Sequence, residues 1–175
     1  MQFFINAFEA IRDFLELGGP VLRIIGVNIL FLWILILERL IYNRTGLKSL
    51  VRDALVEWAA RPERQSWQAY QIRDAIISRV KIEAEKNLPM IQTLVALCPL
   101  LGLMGTVTGM IQVFEVMAIS GTSNARSMAA GVSRATVPTM AGMVGALSGV
   151  FLVTILTRNA KRNTSLLEDA LTMDY

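Results

Sequence analysis

Apolar residues gather in three long runs that hold almost no charge. Residues 21–37 carry Arg23 alone, then read IIGVNILFLWILIL before the mixed flank ERLIYNR. Residues 88–114 contain no ionised side chain, and residues 128–157 contain only Arg134. A helix rises about 1.5 Å per residue, so a hydrocarbon core of about 30 Å needs around 20 residues. The second and third runs are long enough, and the first becomes so if Arg23 snorkels to the headgroups. The pattern predicts an all-α membrane protein with transmembrane helices at 20–41, 89–118 and 128–157.

The segments between these runs follow helical spacing too. At the start, Phe4, Phe8, Ile11 and Leu15 share one face, while Glu9, Arg12, Asp13 and Glu16 lie toward the other. That is the pattern of an interfacial amphipathic helix, predicted over 1–19 and ended by Gly18-Gly19-Pro20. Residues 42–88 are mixed polar. Leu47, Leu50, Val51, Leu55 and Trp58 recur at helical spacing, Arg61-Pro62-Glu63 makes a turn, and Trp67, Tyr70, Ile72, Ile76, Ile77, Val80 and Ile82 follow. Roughly 47 residues cannot bury an independent core. Extensions of the second and third spans, from this chain and from neighbouring copies, are expected to cover them. The second piece is expected to run into the second span as one long helix, with Pro89 and Pro99 allowing slight bends.

Composition agrees. The 175 residues are 54% hydrophobic and 18% charged, where soluble domains average about 25% charge, and mean hydropathy is +0.50. A net charge of +3, without a basic face interleaved with aromatics, gives no case for nucleic acid. With no histidine and one cysteine, a Cys/His metal site, an imidazole-based catalytic triad and an intrachain disulfide are all excluded. No cofactor is expected, and Cys98 reads as a buried small hydrophobe.

Basic residues set the topology. Ten Lys/Arg lie in residues 38–88 and three follow Thr157, against Arg12 alone before Val21 and Arg126 alone between Ala118 and Ser127. By the positive-inside rule, 42–88 and the tail 158–175 are cytoplasmic, and the N-terminus and the loop 119–127 are outside. The acidic start and the lack of a small-residue cleavage site argue against a cleaved signal.

Within the last two spans the polar and small residues stand out. Gly102, Gly105, Gly109, Gly131, Gly142, Gly145 and Gly149 make small-residue faces that let helices approach closely. By contrast the first span, LFLWILIL, is bulky and expected to face lipid. Packing does not explain Thr106, Thr108, Thr136, Thr139, Thr154 and Thr157, although most membrane threonines bond back to their own helix. Thr106 stands 16 residues before Thr122 and Thr139 17 after it. Antiparallel spans would place both at nearly one depth, as a polar level in an apolar bore. Arg134 costs at least about 2.5 kcal/mol in a span unless it snorkels or is paired. Glu115 is the only acid in the last two spans and lies at comparable depth. A partnership between them, in cis or with the next subunit, is one reading; an arginine that snorkels, or that contacts an anionic lipid or the outer segment of a partner protein, is the other.

The stretches Pro99-Leu-Leu-Gly102-Leu-Met-Gly105-Thr106-Val-Thr-Gly109-Met and Gly131-Val-Ser-Arg134-Ala-Thr-Val-Pro-Thr139-Met-Ala-Gly142 carry a family resemblance. The chain resembles the ExbB/TolQ/MotA proton-channel family, and is most similar to its short ExbB-type members from accessory TonB systems. The resemblance is specific over 88–157 and architectural elsewhere. It implies a homopentamer in the bacterial inner membrane, surrounding single-span ExbD-like partners whose transmembrane aspartate takes the proton. It further implies that the proton motive force energises a TonB-like protein for iron-chelate or vitamin uptake. The family's pore threonines fall on Thr106 and Thr139. Where long members have a glutamate on the inner wall, this chain has Arg134, so the titratable group must come from the partner or from water. TolQ-like or MotA-like roles and a non-conducting scaffold for a partner helix are the alternatives. An intramembrane enzyme would need histidine or a transmembrane aspartate, and neither is present.

Overall fold

Local signals place four long helices among the described residues, which are 9, 11–16, 18–64, 66–120 and 125–171 of a computed structural model. They are α1 (Gly19–Ala59), α2 (Trp67–Glu85), α3 (Leu88–Ser120) and α4 (Ala125–Ala170). Three helical stretches, Gly19–Ala59, Trp67–Ile119 and Met128–Ala170, are long and apolar enough to cross a membrane. The described chain is all-helical, as the periodicity predicts.

Residues 11–16 are helical, with Arg12 Nε donating to Glu16 Oε1 at 3.2 Å on the polar side. Ile11 is exposed and Leu15 half-buried. Phe4 and Phe8, the other two apolar positions expected of this helix, lie outside the described residues, as does the centre of the expected 119–127 loop.

The α1–α2 turn falls at Arg61-Pro62-Glu63 as expected, and Ser66 caps α2 by accepting the Ala69 N–H at 3.2 Å. The single helix expected through the second apolar run is interrupted. α2 stops at Glu85, and Asn87 adopts φ +64° before α3 begins. Pro89 supplies the reason: its ring would clash with the carbonyl of Glu85 in a continuous helix, whereas the first turn of a new helix tolerates it. Asn87 also donates through Nδ2 to Glu38 Oε2 at 3.2 Å. Asn87→Val, forced into a left-handed conformation, should lose about 1–2 kcal/mol, and Asn87→Gly much less. Thermal melting of the two purified variants checks this; equal melting points would remove the left-handed residue as the cause of the break.

The chain divides into two compact units. In the first (Met1–Trp33 and Thr93–Val150), α1 buries Val21, Leu22, Ile25 and Leu32 against α3 and α4. The first apolar run therefore has a packed face and an exposed one (Val27, Leu30, Phe31), a correction to the expectation that it only faces lipid. Asn28 joins α1 to α3: its Nδ2 donates to Leu94 O and to Cys98 Sγ, each at 3.1 Å. Away from water such an amide has few other partners, so the bond ties the two helices.

In the second unit (Ile34–Gln92 and Phe151–Tyr175), Leu47 and Trp58 of α1, Ile76 and Val80 of α2, and Leu156 and Leu167 of α4 are buried. This chain's own α1 and α4 thus cover the apolar face of α2, while Trp67 and Ile82, expected with that face, are exposed. Arg73 closes the end of α4, donating from Nε to Leu171 O at 2.7 Å and from Nη2 to Glu168 O at 2.9 Å. A guanidinium there satisfies terminal carbonyls and the negative end of the helix dipole. Arg39, only 5% exposed, lies over the Tyr42 ring at 5.1 Å and donates from Nη1 to Glu83 O at 3.2 Å.

Candidate functional site

The site begins with the backbones of α3 and α4 in contact. A Cβ on Gly102 would lie 3.0 Å from Thr139 Cα, and one on Gly142 would press into the Cys98 carbonyl. Gly105 receives the ring of Pro138, Gly109 receives Ala135, and Gly131 receives Val113. These contacts define an antiparallel register with 102, 105, 109 and 113 facing 139, 138, 135 and 131. Gly149 faces Val95 of α3 and Leu32 of α1. All five glycines singled out for packing, Gly102, Gly105, Gly109, Gly142 and Gly149, are used inside one chain.

Close approach lets the hydroxyls reach backbone. Thr139 Oγ1 donates across the pair to Gly102 O at 2.9 Å. Thr106 Oγ1 donates within α3 to Leu103 O at 2.7 Å. Because Gly105 faces Pro138, Thr106 and Thr139 lie within about one turn, ~5 Å, of the same level. Both are half-buried. Each hydroxyl has committed its proton to a carbonyl, so it offers a passing water or acid only its lone pairs. Thr108 and Thr136 bond to their own helices, the ordinary behaviour of such residues.

Arg134 and Glu115 are not brought together: both are exposed and no ion pair joins them within the described chain. The same register sets Arg134 opposite residues near 110, so Glu115 lies about five residues, ~7.5 Å, nearer the α3–α4 connection. Instead, Arg134 lines a cavity of about 450 Å³ together with Glu16, Thr108, Gln112, Met117 and Met128. Sequence reasoning missed Gln112 and Glu16 here. An amide in an uncharged span was a visible signal for Gln112; nothing local pointed to Glu16.

Comparison with known proteins adds three findings. The sequence profile of the MotA/TolQ/ExbB proton channel family matches residues 43–169. A protein of Synechocystis sp. named as biopolymer transport protein ExbB-like 1 is 39% identical over 70 residues, which cover 38% of this chain and 28% of that protein. A second from the same organism, ExbB-like 3, is 26% identical over 185 aligned positions, covering 88% of this chain and 86% of its own.

Proposed function

Since this chain belongs to the MotA/TolQ/ExbB proton channel family, we propose that it is the channel subunit of an ExbB-type motor in a bacterial inner membrane. The observation that carries this reading is the chemistry of the α3–α4 pair. Two threonine hydroxyls sit near one level of a tightly closed pair, and among the described residues of α3 and α4 no carboxylate lies at that level. Such a wall can guide protons by hydrogen bonding but cannot hold one. The titratable group must therefore come from a partner or from water, and a single-span ExbD-like protein with a transmembrane aspartate fits that need. Exposed faces on the pair, among them Val107 and Ile111 on α3 and Met140, Val144 and Leu147 on α4, are available for a partner and for further copies in a pentamer. Residues 42–88 and the C-terminal tail would be cytoplasmic and the N-terminus periplasmic, as the basic residues indicate.

Similarity to relatives named for ExbB-like biopolymer transport favours energising a TonB-like protein over TolQ-like or MotA-like work. The test is proton flux into vesicles containing this chain and its single-span partner. Flux is expected only with both present, and is expected to vanish when the partner's aspartate becomes asparagine. Absence of flux from the intact pair, or full flux from this chain alone, would overturn the reading.

A further inference from the structure

The cavity beside Arg134 has a composition that the channel reading does not use. Among the described residues its walls come from the segment Glu16–Val21, from α3 between Gly105 and Met117, and from α4 between Met128 and Pro138. Its volume, about 450 Å³, falls in the range of about 300–1,000 Å³ that holds ligand-sized molecules. Most of the lining is apolar: Val21, Val113, Val116, Met117 and Met128 face it. Thr108, Gln112, Glu16 and Arg134 supply its polar groups.

The charges are unequally matched. Glu16 already accepts from Arg12 at 3.2 Å. Arg134 is the only cation lining the cavity, and no hydrogen bond or ion pair engages it among the described residues. It lies six residues, about 9 Å, inside the start of the third apolar run at Met128, where a guanidinium can extend toward a headgroup. Gln112, Val116 and Arg134 are all exposed, so the cavity is reached from outside the chain.

We propose that this cavity is a binding site for an anionic phospholipid, whose headgroup phosphate pairs with Arg134 while an acyl chain lies along the valines and methionines. The proposal rests on the membrane-spanning reading of α1, α3 and α4, but not on proton conduction. An arginine in a span needs an anion or a route to water, and a phosphodiester held in the cavity supplies both the charge and two non-bridging oxygens that can accept a bidentate pair from the guanidinium. This supplies a counter-charge to a cation that no acid among the described residues pairs with, Glu16 in the same lining being engaged by Arg12.

The test is lipid retention by the purified assembly, read by native mass spectrometry after exchange into mixed micelles. The probes are phosphatidylglycerol and phosphatidylcholine with identical acyl chains. Wild type is expected to retain phosphatidylglycerol about fivefold more, the fold-change of one basic contact at a membrane surface. Arg134→Gln is expected to erase that preference, and Arg134→Lys to keep part of it. Met117→Trp, which fills the apolar wall with the charge intact, should lower retention of both lipids at unchanged complex mass. Equal retention of the two lipids by wild type would overturn the proposal, as would a preference surviving Arg134→Gln. Loss of subunits from Arg134→Gln with lipid retained would also overturn it, by making Glu115 of a neighbouring copy the counter-charge. No proton gradient enters this measurement, so it fails or succeeds separately from the flux experiment.

Discussion

Gly142→Leu is expected to prevent α3 and α4 from closing, and so to abolish the folded subunit before any question of assembly arises. Even the alanine variant would set a methyl against the Cys98 carbonyl, with Gly102 Cα close behind at 3.3 Å from the same position. Backbone atoms cannot turn aside as a flexible side chain can. Overpacking of this kind costs about 1–3 kcal/mol for small insertions and more where nothing yields. Gly26 on α1 is the control: a Cβ there meets nothing within 4 Å. Gly26→Ala should be neutral or stabilising by about 0.5–1 kcal/mol, the helix-propensity difference. Melting temperature and particle mass of the purified variants decide. A Gly142→Leu protein with wild-type melting and mass would contradict the backbone contact.

Proton flux should collapse when both threonines become valines. Thr106→Val preserves volume approximately and removes a hydroxyl that, among the described residues, bonds to its own helix alone. Little stability should be lost, so a fall in flux at normal protein level would report on conduction itself. Thr139→Val also severs the bond to Gly102 O, and about 0.5–1.5 kcal/mol of stability should go with it. We expect each single variant to lower flux about tenfold, equivalent to 1.4 kcal/mol in a barrier, and the double variant to lower it further. Thr139→Ser, which restores the hydroxyl, should recover most of the flux. A double valine variant that conducts normally would make both hydroxyls structural and favour the scaffold alternative.

The three spans were legible because charge is nearly absent from them, and lipid tolerates little else. Glycine and alanine at helical spacing announced close packing in advance. They could not say which helix would lie opposite, and the chain's own α3, α4 and α1 turn out to fill that role. The depth of Thr106 and Thr139 could be counted from the connection between the spans. Counting residues gives height along a helix but not direction around it. For that reason Arg134 and Glu115 looked like partners in sequence, while the fold turns Arg134 into a cavity and leaves Glu115 outside its lining. Pro89 was visible as a bend, but nothing local showed that the chain would break there through a left-handed Asn87, or that its amide would meet Glu38, 49 residues away in sequence.

Cys98 has a practical consequence for anyone who wishes to watch the protein work. It is the chain's one cysteine, fully buried, with its sulfur held by Asn28 at 3.1 Å. Alkylating reagents need access to the sulfur, and a thiol packed between helices does not give it. The native chain is therefore already a silent background for site-directed labelling. Cysteines introduced at exposed positions such as Val107 or Met140 can carry fluorophores, spin labels or cross-linkers while the Asn28 contact stays intact.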